Sequence, residues 1–243
     1  MPNYPIDQTN AAENLQLELA AVQQQLINGI NELYPPLRDL VRSEFKLALP
    51  PQRAAIVLTA GVGDPDSDDL REKRILLAAA LEMLYIALHI HHALLTNTPV
   101  NGDKGVDKSL LGSIILAGDY CFSRAAMLAA RTNNPEVVML FSNALKAVSE
   151  GKLRQYFSKT SSSFDENQKL LEAGARAAAV LAHLPEPTRE ALVALVAALA
   201  ETGISNDSAM QQSAEQLPHT LTSLQKTRWT AFLKWFFASQ NAA

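Results

Sequence analysis

Leu81-Glu82-Met83-Leu84-Tyr85-Ile86-Ala87-Leu88-His89-Ile90-His91-His92-Ala93-Leu94-Leu95-Thr96 is an apolar run with too few polar residues to cover a solvent face. Such a run predicts a helix buried on most sides. Upstream, Ser67-Asp68-Asp69-Leu70 is a helix start with acids in the first turn, where they favour the positive end of the helix dipole. One helix of about thirty residues is therefore expected to end near Leu95, longer than the usual globular helix. Three histidines stand near its end, out of five in the chain. They are either a site or the remnant of one.

Outward from this helix the chain is punctuated by proline and polar clusters, with little glycine (10 residues) and almost no β-branched alternation. That predicts an all-α fold. An N-terminal helix is expected over about 10–34, its stripe formed by Leu15, Leu19, Val22, Leu26 and Ile30, and Pro35-Pro36 stops it. Short helices follow to Leu47 and from Gln52 to Val62, closed by Gly61-Val62-Gly63-Asp64-Pro65. Beyond a loop from Thr96 to Lys104, helices are expected at Ser109 to Arg131 and, opened by Asn134-Pro135-Glu136, to about Phe157. Two alanine-rich helices, 165–183 and 187–202, are split by Pro185 and Pro187, and a last helix of about 218–238 carries Trp229 to Phe237. With no repeat and no linker, one helical domain over 1–243 is the economical reading. Leu88 to Leu95 and Leu110 to Leu116, lacking a polar face, are expected at its centre, and Met83, Met127 and Met139 at core positions.

Composition bounds the function. Of 243 residues, 48% are hydrophobic and 19% charged, enough apolar material for a large core. A net charge of -4 gives no electrostatic argument for nucleic acid, whose binding needs a concentrated basic face. A lone cysteine, Cys121, excludes an internal disulfide and suits a reducing compartment. No signal peptide is expected from Met1-Pro2-Asn3-Tyr4-Pro5, and no membrane span, because the best candidate (residues 75–95) carries Glu82 and the histidines. The expectation is a cytoplasmic protein.

Four stretches in order carry a resemblance. Gln52-Arg53-Ala54-Ala55-Ile56-Val57-Leu58 is similar to a GKRLRP-leucine segment, and Ala80-Leu81-Glu82 through His91-His92 to a long helix ending in HDD. Gly112-Ser113-Ile114-Ile115-Leu116-Ala117-Gly118-Asp119-Tyr120 is close to AILAGDYL, the most specific of the four, and Ser149-Glu150-Gly151-Lys152-Leu153-Arg154-Gln155 resembles EGExxQ. The order and spacing resemble the trans-isoprenyl diphosphate (polyprenyl) synthases over about 40–200. The resemblance implies a helical bundle of the isoprenoid synthase type.

It also implies chemistry that this sequence departs from. Synthases of the family hold Mg²⁺ between two aspartate-rich DDxxD motifs, because Mg²⁺ takes hard oxygen ligands and neutralises the leaving diphosphate. Here the first motif falls on His92-Ala93-Leu94-Leu95-Thr96, so its aspartates are replaced at His92, Ala93 and Thr96. The second falls near Ile204-Ser205-Asn206-Asp207-Ser208, leaving at most Asp207, with Ser208 beside it. Of the early basic cluster Arg53 remains. The family's KT pair falls on Glu166-Asn167, where a carboxylate repels a diphosphate. Lys152 replaces the glutamate of GExxQ, while Gln155 is kept.

The candidate substrate-binding residues are therefore vestigial: Arg53, His91 (which keeps the histidine of HDD) and Gln155. No catalytic set is intact and no metal site is expected. His89 and His92 share a helix face at i, i+3, but a metal needs a further ligand from Glu82 or Asp119, and hydrogen-bonded histidines are the plainer reading. Asp119 and Cys121 have structural readings as well, and the C-terminal aromatics are expected to cap the core. No cofactor is expected, with Mg²⁺ entering only if synthase activity remains. Three functions stay open. The first is a non-catalytic accessory or regulatory subunit, a homodimer or a heteromer with a catalytic prenyl synthase, docking through 108–131 as the family does. The others are a prenyltransferase with residual activity and a binder of an apolar small molecule in the old prenyl pocket.

Overall fold

A computed structural model describes residues 11–44, 52–97, 108–157, 164–201 and 212–240. The described chain is all-α: α1 (Ala11–Asn31), α2 (Pro35–Glu44), α3 (Gln52–Ala60), α4 (Asp68–Asn97), α5 (Lys108–Ala130), α6 (Pro135–Phe157), α7 (Glu166–Leu181), α8 (Glu186–Glu201) and α9 (Ser223–Gln240). The helix starts follow side-chain chemistry. Ser67 Oγ accepts the Leu70 N–H at 3.2 Å before α4, and Asn134 Oδ1 accepts from Glu136 and Val137 before α6. Thr222 and Gln225 cap α9 reciprocally, each side chain accepting the other's N–H at 3.4 and 3.0 Å. α7 ends with His183 in the left-handed region (φ 56°), where the N–H of Leu184 reaches Ala179 O and that of His183 reaches Val180 O.

α4 is the central helix, packed against α5, α1, α3 and α7. From Leu76 to Ala87 all residues but Tyr85 are buried, as the apolar run required. One contiguous cluster of buried side chains runs through α1 to α9. By length and composition Asp68–His92 is apolar enough to cross a membrane, contrary to the expectation from sequence. Two thirds of its apolar window is instead buried inside the protein, the situation of a core helix.

Near the start of α4, Arg74 donates to Glu18 of α1 and to both oxygens of Asp66, and Arg228 of α9 also donates to Glu18. Glu18, Arg74 and Arg228 are all buried. Burial pulls the Arg74 guanidinium down, but Glu18 and Asp66 outweigh it and hold Arg74 above its ordinary value. At Arg228 burial wins and the value falls.

The C-terminal aromatics cap the core as expected. Trp229, Phe232, Phe236 and Phe237 are buried where α9 meets α1 and α3. The expected central position of Leu110 to Leu116 is corrected, because Ile115 and Leu116 are exposed, Leu116 by 62%. Met127 and Met139 stand in solvent too, whereas Met83 is fully buried. The reason is that α5 turns one face to α4 and leaves a second, also apolar, uncovered. Its small helical residues made both faces look like core.

Candidate functional site

The C-terminal half of α4 offers Tyr85, His89 and His92 on one face, at spacings of four and three. Opposite lie Lys152 of α6 and the segment Phe164 to Asn167 that opens α7. These eight residues line a cavity of about 460 Å³. Gly151 of α6 makes the close approach possible: a Cβ there would lie 2.2 Å from the Phe164 ring. A larger groove of about 1020 Å³ lies between α1 and α9, but nothing in the sequence motifs leads to it.

Arg53, in the first turn of α3, stands behind this wall. Its guanidinium carbon lies 3.5 Å from the centroid of the Tyr85 ring, a cation–π contact. Nε and Nη2 donate to Oε2 of Glu82 at 3.1 and 3.0 Å, and Nη1 donates to Oδ1 of Asn167 at 2.6 Å. The second Glu82 oxygen accepts the Ala54 N–H at 2.9 Å, one of the amides that a helix start leaves unpaired. Lys152 Nζ lies 3.1 Å from Glu166 Oε2. Asp165 caps α7, its Oδ1 accepting the Gln168 N–H at 3.0 Å. Arg53, Lys152 and the starts of α3 and α7 are the electropositive elements meeting here, and a carboxylate of the chain sits on each. The ligands of a polyanion site are thus answered from within.

His91 is not brought to this cavity. Its ring stacks on Phe122 of α5, centroids 5.0 Å apart, and Nε2 lies 3.4 Å from Asp119 Oδ1. Gly118 makes room for it: a Cβ there would lie 2.5 Å from Nε2. The GDY segment therefore seats α4 against α5, and Asp119 partners a histidine. Gln155 is exposed on α6 and does not line the cavity either. Ala93 and Thr96 belong to the last turns of α4, but their side chains, like all of Asp207 and Ser208, lie outside the described residues. Cys121 is buried, and desolvation pushes its thiol up to about 12, which makes it inert.

The donor set around the cavity does not fit a Mg²⁺ cage. Glu82 is committed to Arg53 and Ala54, Glu166 to Lys152, and Asp165 to the α7 amide. Magnesium sites need carboxylate oxygens free to face the ion. Among the described residues no group of three or more histidine, cysteine or acidic side chains converges as a metal site. Tyr85, Phe164 and Asp165 went unnoticed as site residues in the sequence. An aspartate just before the α7 stripe was a legible cap signal; the ring contacts had none.

Comparison with known proteins follows the same line. No family model matches the chain. Solanesyl diphosphate synthase 1, chloroplastic, of Arabidopsis thaliana is 26% identical over 173 residues, 69% of this chain and 42% of that protein. The chain is thus similar in sequence to prenyl diphosphate synthases. It aligns with less than half the length of the curated synthases it matches. Solved synthases share the fold over nearly its whole length. The decaprenyl diphosphate synthase from Rhodobacter capsulatus has a TM-score of 0.63 at 16% identity, covering 97% of this chain and 85% of that one. A polyprenyl synthase from Caulobacter crescentus, complexed with calcium and isoprenyl diphosphate, gives 0.62 at 16%, covering 99% and 88%. In this chain Arg53, Lys152 and the α4 face come together at one place, with Glu82 on Arg53 and Glu166 on Lys152.

Proposed function

We propose that this synthase-like protein is non-catalytic and acts in isoprenoid biosynthesis as an accessory or regulatory subunit, in the cytoplasm, through subunit association. The observation that carries the reading is the internal pairing of the cavity's cations, Arg53 with Glu82 and Lys152 with Glu166. A diphosphate entering there would have to displace carboxylates that are covalently part of the chain, and among the described residues no group of three or more acidic, histidine or cysteine side chains converges to bring metal ions with it. The expected first-motif positions, His92, Ala93 and Thr96, supply no acid.

Association has its own support. Ile115, Leu116 and Met127 on α5, with Met139 on α6, are exposed apolar side chains, the kind of surface an association would cover. The partner is a second copy or a catalytic prenyl synthase. Light-scattering mass after size exclusion, for the protein by itself and co-expressed with a catalytic synthase, tests this. A dimer or heteromer is expected, and Leu116→Glu is expected to dissociate it; a monomer under both conditions overturns association. Labelled isopentenyl and allylic diphosphates with Mg²⁺ test the catalytic half. No elongation is expected, and turnover in the ordinary enzyme range of about 1 per second or faster overturns it.

A further inference from the structure

We propose that the groove between α1 and α9 is the docking site of an acidic helix from a partner protein, one that carries carboxylates two turns apart. The groove shares no lining residue with the cavity at α4, and none of the exposed apolar residues of α5 and α6 lines it. It therefore stands independently of the reading above.

Shape suits a helix. The α9 wall runs from Ser223 through Thr227, Thr230 and Ala231 to Trp235, spacings of three and four that keep one side of the helix. At 1.5 Å per residue that wall is roughly 18 Å long. A volume of about 1020 Å³ over this length leaves a cross-section of roughly 55 Å², half that of a helix about 12 Å across with its side chains. A third helix seated to half its depth fits there, as helices pack ridge into groove. Ala11 and Ala12 on the α1 wall, with Thr227 and Ala231 on the other, are small enough to let its backbone come close.

Charge decides what kind of helix. α9 carries no acidic residue. Lys226 and Lys234 stand on its wall two turns, roughly 12 Å, apart. Lys226 gives its ammonium to the His219 carbonyl, and Lys234 is exposed with no hydrogen bond or ion pair among the described residues. Glu13 is the acid facing them among the described lining residues. Behind the α1 wall, Arg228 donates to the carbonyl of Ala11 at 3.1 Å. There three arginines, Arg71, Arg74 and Arg228, share the carboxylates of Glu18 and Asp66, and Arg228 Nε is buried without a hydrogen-bond partner among the described residues. Positive charge exceeds negative both on the wall and beneath it, which selects an acidic occupant against a basic one. Trp235, half-buried at the end of the wall, adds the flat apolar contact common at interfaces. This is the helix-in-groove mode of recognition, with the lysines setting the partner's register.

Fluorescence anisotropy of the full chain with two labelled synthetic helices tests the proposal. Both are alanine-based peptides of about 18 residues, long enough to hold a helix; one carries glutamates two turns apart on one face, the other lysines at the same positions. The acidic peptide is expected to bind with a sub-millimolar Kd, about tenfold or more tightly than the basic one, the difference shrinking as salt rises. Lys226→Glu combined with Lys234→Glu is expected to reverse the preference. Thr230→Trp, which fills the groove with no change of charge, is expected to abolish binding of both. Circular dichroism and thermal melting establish that each variant folds, and Thr230→Trp carries the test should the charge variant not fold. Equal affinity for the two peptides, no binding of the acidic one, or binding that neither variant weakens overturns the proposal. So does binding that begins only when residues 1–9 are removed, which makes the chain's own N-terminal segment the occupant. A concentration-dependent rise in mass that Lys234→Glu abolishes makes the occupant a second copy and overturns it as well.

Discussion

The two halves of α4 each hold arginine against glutamate, and they use the pairing differently. Toward its start, Arg74 meets Glu18 of α1 and Asp66, Arg71 and Arg228 of α9 also reach Glu18, and Glu18, Arg74 and Arg228 are buried. Toward its end, Glu82 holds Arg53, and the neighbouring Lys152–Glu166 pair lies on the wall of a cavity. In the first place water is gone, so each charge depends wholly on the others. In the second, solvent remains as an alternative partner. The chemistry is the same and burial sets the consequence: the first group joins helices distant in sequence, and the second determines what the cavity can receive.

The largest effect is expected where burial is deepest. Glu18→Ala leaves Arg74 and Arg228 buried with Asp66 as their sole remaining acid, and breaking a buried ion group by removing one partner costs about 3–5 kcal/mol. Urea unfolding followed by circular dichroism reads this directly. Arg228→Met is expected to cost far less, under about 2 kcal/mol, because a buried charge is replaced by an apolar chain. Arg228 is also the poorly compensated member: burial lowers it, and its Nε has no hydrogen-bond partner among the described residues. If Arg228→Met were as damaging as Glu18→Ala, the group would be a matched network rather than one acid serving three arginines, Arg71, Arg74 and Arg228.

Next in size is the seam at the cavity. Gly151→Val places a side chain where the Phe164 ring now lies, so the ring must leave or α6 and α7 must part. Overpacking of this kind costs about 1–3 kcal/mol. The same urea curves measure it, and thermal melting ranks it below Glu18→Ala.

A comparable effect on the dry side of α4 is set by pH. Cys121 lies buried on α5, its thiol pushed up to about 12 by burial from an ordinary value of 9.0. The folded value is the higher one, so the folded state favours the protonated thiol. Its stabilising contribution is whole below pH 9 and is lost between 9 and 12, at about 1.4 kcal/mol per pH unit. Stability measured by urea at rising pH should fall over that window, and Cys121→Ala should flatten the slope. An unchanged slope in Cys121→Ala would place the loss in other groups.

The difference between the halves also explains what was legible in the sequence. The helices, their order and their caps follow from periodicity, proline and polar starts, and α4 was the clearest because its stretch from Ile75 to Leu88 is apolar but for Glu82 and the Tyr85 hydroxyl. Which residues share a site was legible only in part. Arg53, His92, Lys152, Glu166 and Asn167 stood out because motif positions expected to be one chemistry hold another. That Glu166 reaches Lys152, or that His91 turns to Phe122 and Asp119 instead of the cavity, depends on how far α6, α7 and α5 lie from α4. Local spacing carries no such distance. The exposed side of α5 was hidden for a related reason, since small and apolar residues on both faces give no sign of which one is covered.

The smallest effect on stability is expected at the lining of the cavity. Glu166→Gln removes a pair whose lysine stays partly in water, and such pairs contribute about 1 kcal/mol or less. The amide can still accept from Lys152, so melting should shift little, within the range of a surface substitution. Glu82→Gln is the matched change behind the wall, and there the loss should be larger, about 1–3 kcal/mol, because Arg53 and the Ala54 N–H both rely on that carboxylate. The ordering is what separates the two positions: a pair built into the packing shows itself in the melting curve, and a pair at the lining leaves the curve nearly unmoved. Should Glu166→Gln destabilise as much as Glu82→Gln, Glu166 belongs to the architecture of the α6–α7 seam, and the halves of α4 differ less than their burial suggests.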